Sequence, residues 1–191
     1  MTFSELHLQP LTAAQLAAAT ELDRVCLGGL WSLDGYQREL DSPNSELLGL
    51  RLATLASPPL IGLGCFWAIL EEAHLTLLAI HPDYQRHGLG QLLLLTLLQR
   101  AAQRGLERAT LEVREHNVAA LALYTKFGFQ VAGRRPGYYA TTQEDALILW
   151  RSGLQPPQFA EELAAWQAIV DQRLRDRGWS WPAEAVASAP A

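Results

Sequence analysis

The stretch AIHPDYQRHGLGQLLLLTLLQRAAQRG, residues 79–105, constrains the fold of this 191-residue chain more than any other part of it. An apolar run stops at His81-Pro82, a short polar turn follows, and a strongly apolar helical segment begins at once. Gly88 and Gly90 lie where this helix is only starting, although glycine destabilises a helix interior. The sequence therefore predicts a strand, a tight turn and a buried helix. The glycines indicate that some other group approaches the backbone of the turn closely.

This turn has the chemistry of a phosphate site. The first N–H groups of a helix have no partner within it, and with the helix dipole they attract anions. Gly88 and Gly90 carry no Cβ atoms to hold a pyrophosphate away from these amides, and Arg86 and His87 add donors at the rim. The residues that would follow in a Walker loop or in a dinucleotide fingerprint are missing. Taken alone, the turn is equally consistent with a plain loop.

Hydrophobic periodicity predicts the elements around the turn. They are one strand, two helices, three strands, the helix from Gly88 to Arg104, a strand, a helix and two more strands. This order, with a central strand–helix–strand unit, predicts an α+β domain built on a mixed sheet. Residues 57–59 are expected to form a turn, and residues 134–144 a loop or hairpin tip between the last two strands.

The domain pattern ends near Arg151, and Pro156-Pro157 mark a break. We therefore expect a domain over residues 1–151 and an appendage over 152–191, formed by an amphipathic helix and a loose tail rich in Ala and Pro. Apolar residues recur in this helix at helical spacing and predict a stripe that packs on the chain's own domain; a surface for a partner is the alternative. The stripe consists of Phe159, Leu163, Trp166, Ile169, Val170 and Leu174.

Composition excludes several classes of function. The net charge of −5 gives no basic field for nucleic acid. The longest apolar run, Leu92 to Leu98, is too short to span a membrane, and the first residues do not read as a signal peptide. The spacing of Cys26 and Cys65 matches neither a metal-binding nor a redox motif, and the spacing of the five histidines does not match a metal site. We expect a cytoplasmic protein with reduced thiols and no metal, whose partners are neither nucleic acid nor membrane.

Two motifs resemble those of the GNAT family of N-acetyltransferases. QRHGLG, residues 85–90, resembles the family's Gln/Arg-x-x-Gly-x-Gly/Ala signature, and NVAALALYTKFGF, residues 117–129, resembles Asn-x-x-Ala-x-x-Leu-Tyr-x-x-x-Gly-Phe. The resemblance implies the GNAT acyl-CoA N-acyltransferase fold, a mixed and mostly antiparallel sheet flanked by helices, with acetyl-CoA as co-substrate. It implies cofactor contacts at Leu78, Ala79, Ile80, Arg86, His87, Gly88, Leu89, Gly90, Gln91 and Asn117. Asn117 would also be explained as a helix cap alone.

A narrower resemblance is to the RimI-like enzymes, which acetylate the N-terminal alanine of ribosomal proteins. It rests on the segments LEVREHN (111–117), LWS (30–32), GYY (137–139) and EDA (144–146). It implies that the acceptor is a protein N-terminus, specifically the alanine of a small-subunit ribosomal protein. It also implies that the walls of the peptide channel include Trp31, Tyr138 and Tyr139.

The sequence departs from the RimI-like pattern at two places. His81 stands where Asp is usual, and Pro136-Gly137 stand where an Asn is expected. Both departures bear more on the acceptor than on the cofactor.

The same resemblance assigns the proton transfers. Glu112 would accept the proton of the attacking amine through a water molecule, and Tyr124 would protonate the CoA sulfur. Without the resemblance, Glu112 is explained as a solvated strand residue and Tyr124 as a core tyrosine with a satisfied hydroxyl. Trp31 before a helix is also explained as a hydrophobic staple.

Two other functions remain open at this stage. An acetyltransferase of the same fold could act on a lysine side chain or a small amine. A non-catalytic acetyl-CoA-binding scaffold is the alternative from another class, although the presence of both Glu112 and Tyr124 argues against it.

Overall fold

The computed structural model of the chain describes residues 4–53 and 59–181, and eight strands of these residues form one sheet. The strands are β1 (Ser4–Pro10), β2 (Ser45–Leu52), β3 (Leu60–Ile69), β4 (Glu72–Ile80), β5 (Arg108–Arg114), β6 (Gln130–Tyr139), β7 (Glu144–Ser152) and β8 (Trp179–Ser180). Their order across the sheet is β6-β7-β5-β4-β3-β2-β1-β8. The pairs β4–β5 and β1–β8 are parallel and the others antiparallel. The predicted mixed, mostly antiparallel sheet is confirmed.

Five α-helices flank the sheet within the described residues. They are α1 (Leu16–Leu27), α2 (Leu33–Asp41), α3 (Leu89–Gln103), α4 (Val118–Lys126) and α5 (Pro157–Asp176). Local sequence explains where they begin: Ser32 and Asn117 cap α2 and α4, accepting from the amides of Gly35 and Ala120. The predicted order of strands and helices is therefore correct up to residue 152.

Helices cover both faces of the sheet. On one face the apolar helix α3 packs with α5 and the buried part of α4, and on the other α1 and α2 enclose a second core around Tyr36. In β3, a Cβ atom on Gly64 would lie 3.0 Å from the side chains of Leu93 and Leu97, so glycine lets α3 approach the sheet closely.

The centre of the sheet is split. The parallel strands β4 and β5 pair only at Glu72 with Arg108, Ala73 with Ala109 and His74 with Thr110. Directly after this pairing the register of β4 against β3 shifts, so that Thr76 is an extra residue between Leu75 and Leu77. The two strands then continue to Ile80 and Arg114 without pairing, and a cleft opens between them.

The structure corrects the prediction for residues 134–144. β6 continues through most of the predicted loop to Tyr139, and the turn to β7 is correspondingly short. Pairing with β7 supplies the backbone hydrogen bonds, and a register shift between Arg135 and Tyr139 accommodates Pro136.

The C-terminal helix packs on the core of the chain. Phe159, Val170 and Leu174 are almost completely buried, while Ile169 is 61% exposed and does not belong to the buried stripe. Ile169 and Val170 point about 100° apart on a helix, so only one of them can face the core. Beyond α5 the structure adds a strand that was not predicted, since β8 pairs with the start of β1. The turn predicted at 57–59 lies largely outside the described residues, as does the loose tail at 182–191.

No helix among the described residues combines the length and the hydrophobicity that crossing a membrane requires.

Replacing Phe159 with Ala tests whether α5 unfolds together with the rest of the chain. The ring is 2% exposed and contacts Trp166, so we expect the free energy of unfolding to fall by roughly 3 kcal/mol. Urea unfolding followed by circular dichroism measures it, with Ile169→Ala as a control that should change it by less than about 0.5 kcal/mol. Equal effects of the two substitutions would show that α5 is not part of the same cooperative unit.

Candidate active site

The cleft between β4 and β5 contains a cavity of about 480 Å³. Leu75–Leu78 of β4 and Leu111–Arg114 of β5 form two of its walls, and α4 contributes Asn117, Ala120 and Tyr124. The two residues expected to transfer protons, Glu112 and Tyr124, therefore line the same cavity. We call it the reaction cavity.

A second cavity of about 380 Å³ lies at the N-terminus of α3. We call it the loop cavity, because the turn residues Gln85, Arg86, Gly88 and Gly90 line it. Leu78, Asn117 and Ala120 line both cavities, so the two are adjacent. A long molecule bound at the turn could therefore reach Glu112 and Tyr124.

The turn before α3 presents its backbone N–H groups as donors. Arg86 and Gly88 have positive φ angles of +64° and +93°, and the peptide bonds of the turn are all trans. The amides of residues 86–90 donate no hydrogen bond to any described residue. The Gln85 side chain fixes the turn to the end of β4 by donating to the Ile80 carbonyl at 3.0 Å. Such consecutive free amides at a helix N-terminus form an anion site.

His81 caps a short helical turn, a role that the Asp usual at this position could also perform. Its Nδ1 accepts from the Asp83 amide at 3.3 Å and caps the 3-10 turn from Pro82 to Tyr84. This departure from the expected motif therefore keeps the local geometry of the turn.

The structure brings most of the expected cofactor residues together. Seven of the ten line the loop cavity, namely Leu78, Ile80, Arg86, Gly88, Gly90, Gln91 and Asn117. The other three contribute no side chain to it. Ala79 points to the opposite face of β4, His87 contacts the ring of Trp179 at 6.0 Å between centroids, and Leu89 is buried in the core.

Glu112 lies in a charged cluster. Its side chain is 11% exposed, with Oε1 3.1 Å from Nη2 of Arg135 and Oε2 3.2 Å from Nε2 of His74. Leu111 and Val113 point to the opposite side of β5, into the core with α3. Glu112 is therefore not the freely solvated strand residue of the simpler interpretation.

The tautomer of His74, which lies beside Glu112, follows from the hydrogen bonds of Thr110. Burial alone would raise the pKa of Glu72, but hydrogen bonds from Thr110 and Arg108 hold it below its ordinary value, so Glu72 is ionised near neutral pH. Thr110 donates its hydroxyl proton to Glu72 at 2.7 Å and must accept from Nδ1 of His74 at 2.9 Å. His74 therefore carries a proton on Nδ1 and turns Nε2 toward Glu112.

Tyr124 is buried on the other side of the cavity. Burial, with a smaller contribution from Tyr139, raises the pKa of its phenol above the usual value of about 10. The phenol is therefore protonated throughout the neutral range. Its hydroxyl forms no hydrogen bond with a described residue, unlike that of a satisfied core tyrosine.

The expected peptide-channel residues are only partly at the reaction cavity. Tyr139 lines it, beneath the guanidinium of Arg114 at 3.9 Å, whereas Tyr138 is 48% exposed and Trp31 packs edge-on against Tyr36. The end of α1 and the loop after it instead contribute two cavity-lining residues that sequence reasoning missed, Leu27 and Leu30.

Asp23 was also missed, and it holds this loop. The carboxylate is fully buried, and it accepts from the amides of Leu30 and Trp31, each at 2.8 Å, and from the hydroxyl of Tyr36 at 3.0 Å. Its position contained a signal, because Asp23 falls on the same face of α1 as the buried Leu16 and Ala19. A carboxylate at such a place needs buried donors.

The hairpin that carries Tyr139 is fixed by a second carboxylate. Asp145 accepts from the Gly137 amide at 2.8 Å and from Nε of Arg134 at 2.6 Å, and these hydrogen bonds lower its pKa. Gly137 has a φ of +60°, which explains a glycine where an Asn was expected. The departure at Pro136-Gly137 is thus part of the bulged strand.

A larger depression of about 710 Å³ lies at the β3–β4 hairpin, beside Glu39 and Trp67. It shares no lining residue with the two cavities above, and it is wide open to solvent. The convergence of free amides, Glu112 and Tyr124 makes the central cleft the candidate functional site.

Comparison with known proteins agrees with this geometry. The model of the Acetyltransferase (GNAT) family matches residues 16–129. The chain belongs to the GNAT acetyltransferase family. It is therefore an N-acetyltransferase, and the predicted family and fold are confirmed.

Relatives of this acetyltransferase are RimI-type enzymes. It is 36% identical over 150 residues to the N-alpha-acetyltransferase RimI of Mycobacterium tuberculosis, covering 76% of this chain and 92% of that protein. It is 35% identical over 141 residues to the ribosomal protein bS18-alanine N-acetyltransferase of Salmonella typhimurium, covering 73% and 92%. A crystal structure of the corresponding ribosomal-protein-alanine N-acetyltransferase from Escherichia coli superposes with a TM-score of 0.70 at 31% identity, covering 79% and 95%. The narrower RimI-like resemblance is confirmed.

Replacing Asp23 with Ala should destabilise the α1–α2 loop. Two amides and one hydroxyl would lose their acceptor inside the protein, so we expect the free energy of unfolding to fall by about 3 kcal/mol. Thermal and urea unfolding measure it, and Glu21→Ala on the exposed face of the same helix should change it little. A variant as stable as the wild type would show that Asp23 does not hold the loop.

Proposed function

We propose that this acetyltransferase transfers the acetyl group of acetyl-CoA to the α-amine of a protein N-terminus, namely the N-terminal alanine of a small-subunit ribosomal protein. The observation that carries the proposal is the reaction cavity, in which Glu112 and Tyr124 face one space beside an anion-binding turn. The relatives support the acceptor, since the Salmonella enzyme is named for the alanine of ribosomal protein bS18.

The loop cavity suits the phosphates of acetyl-CoA. The free amides of residues 86–90 would bind the pyrophosphate, and the path along Leu78 and Asn117 would take the pantetheine arm into the reaction cavity. Bound in this way, acetyl-CoA supplies an acetyl group activated as a thioester. Beyond the bulge, the edge of β4 that faces β5 has no partner strand, and its backbone groups between Leu78 and Ile80 would hydrogen-bond the arm.

Glu112 and Tyr124 would move the protons of the transfer. The amine nitrogen forms a bond to the acetyl carbon, and the bond from this carbon to the sulfur breaks. Glu112 accepts the proton that the amine loses, directly or through a water molecule. Tyr124 gives its proton to the leaving sulfur and, because its pKa is raised, is protonated at the pH of the reaction.

His74 would share the proton taken up by Glu112. Nε2 of His74 is 3.2 Å from the carboxylate, and Thr110 holds the proton of the other ring nitrogen. The imidazole is partly exposed and offers a route to solvent.

A covalent acetyl-enzyme is not needed for this reaction. Cys26 lines the reaction cavity, but burial, with the charge of Asp23, raises the pKa of its thiol. The thiol is therefore protonated near neutral pH and is a weak nucleophile. Direct attack by the acceptor amine follows.

The lining of the reaction cavity favours an α-amine over a polyamine. Among the described residues that line it, Glu112 is the one carboxylate and Arg114 the one cation, so several positive charges on an acceptor would find too few partners. An α-amine has a pKa of roughly 8, more than two units below that of lysine, so about a hundredfold more of it is neutral below both values. A single carboxylate base therefore serves an N-terminus best, and a ribosomal acceptor is met in the cytoplasm.

We further propose that residues 1–151 form the catalytic domain and that residues 152–191 are an appendage to it. The family match within 16–129 supports this division, and β7, the last of the long strands, ends at Ser152. The Phe159→Ala experiment above measures how closely the two parts are coupled.

The substitutions Glu112→Gln and Tyr124→Phe test the proton transfers. Each removes one proton-transfer group and conserves shape, so each should lower the turnover number by roughly 10²–10⁴-fold. Stopped-time assays of peptide acetylation measure it, and calorimetry should show nearly unchanged acetyl-CoA affinity for Glu112→Gln. Glu107→Gln, at an exposed glutamate outside both cavities, is the control. Near-normal turnover of either variant would remove that residue from the mechanism.

A pair of peptides tests the acceptor. One begins with Ala, and the other has the same sequence with a blocked N-terminus and an internal lysine. We expect acetylation of the first peptide only, detected by mass spectrometry. Modification of the blocked peptide at a similar rate would instead assign a lysine acetyltransferase, and no modification of any peptide despite acetyl-CoA binding would favour a scaffold.

A further inference from the structure

The C-terminal helix brings an arginine to the phosphate-binding turn. Arg173 of α5 lines the loop cavity together with Arg86, Gly88 and Gly90. Its side chain lies over Gly88, with Cδ, Cγ and Nε at 3.3, 3.4 and 3.6 Å from the place where a Cβ of Gly88 would stand. The guanidinium is thus at the turn whose amides donate no hydrogen bond within the described part of the chain.

Arg173 differs from most arginines of this protein because it has no carboxylate partner among the described residues. Arg108, Arg114, Arg134 and Arg151 each pair with a carboxylate. Within residues 4–53 and 59–181, no carboxylate forms an ion pair with Arg173, and no hydrogen bond joins it to another side chain. A half-buried guanidinium beside free amides makes the loop cavity positive in a chain of net charge −5.

The position of Arg173 is fixed by the packing of its neighbours. Val170 and Leu174, on the same side of α5, are 1% exposed and belong to the core, so the helix cannot rotate without exposing them. After the helix, Trp179 packs its ring against those of Tyr84 and His87 in the turn itself, at 6.4 and 6.0 Å between centroids. The segment that follows the residues matched by the family model therefore contacts the turn.

We propose that Arg173 binds the pyrophosphate of acetyl-CoA from the side opposite to the amides of α3, so that the C-terminal helix completes the cofactor site. The inference rests on the proposed function, which places acetyl-CoA in the loop cavity. The helix amides supply partial charges, and a guanidinium supplies a full charge with a planar set of donors that matches phosphate oxygens. Residues 16–129 alone, which match the family, lack this contact.

The substitution Arg173→Met separates charge from packing. The methionine keeps an unbranched apolar stem over Gly88 and removes the guanidinium. The measurement is the dissociation constant of acetyl-CoA by calorimetry, with the melting temperature as a check on folding. The control is Arg175→Met, at an exposed arginine of the same helix that does not line the cavity. We expect about a tenfold weaker affinity for Arg173→Met, which is about 1.4 kcal/mol, and less than a twofold change for the control.

Dephospho-CoA, which lacks the 3′-phosphate and keeps the pyrophosphate, identifies the group that Arg173 binds. The loss of affinity should be the same with this ligand if the pyrophosphate is the partner. A loss confined to acetyl-CoA would assign Arg173 to the 3′-phosphate and overturn the proposal. A loss seen with Arg173→Ala but not with Arg173→Met would show that only the stem over Gly88 matters, which also overturns it.

The result is distinguishable from a failure of the proposed function. If the wild type binds acetyl-CoA and both arginine variants bind it equally well, the cofactor assignment stands and the role of Arg173 is wrong. If the wild type does not bind acetyl-CoA at all, the proposed function itself is wrong.

Discussion

The separation of β4 from β5 is the constraint on which the rest of the structure depends. Three residue pairs hold the strands together, and the extra residue Thr76 then redirects β4. Beyond that point the sheet loses its central ladder, and backbone groups that a continuous sheet would satisfy become available to a ligand. The fold can tolerate this gap because α3 and α4 start at its edges and pack their buried residues on the strands that flank it.

The gap also divides the chemistry between two faces of the sheet. Free amides at α3 and the hydroxyl of Tyr124 approach from the side of α3 and α4, while Glu112 projects from the opposite face of β5. This alternation follows from the period of two along a strand. In the proposed reaction, acetyl-CoA and an acceptor amine would meet in the cleft from different sides, and the base and the acid would act on different atoms.

Two carboxylates, Asp23 and Asp145, stabilise irregular segments beside the reaction cavity. Asp23 organises the loop that ends at Trp31, and Asp145 fixes the bulged hairpin that ends at Tyr139. Each satisfies backbone amides that have no partner in a helix or a ladder, so each stabilises an irregular segment. These parts of the cavity wall are therefore held by side chains that do not themselves line the cavity.

The amino-acid sequence by itself determined most of the elements, the family and the candidate reacting groups. Helical and strand periods, the caps at Ser32 and Asn117, and the two glycines before α3 are local signals, and local physics decides them. Glu112 and Tyr124 could be named because they lie within motifs of fixed spacing. Only the tertiary structure decided that β6 runs through Pro136 and that Ile169 faces solvent while Val170 is buried. It also decided that Asp23 holds the α1–α2 loop and that Arg173, 85 positions after Gly88, lies against it. These features depend on contacts between segments far apart in the chain, and no local period or motif encodes which distant surfaces will meet.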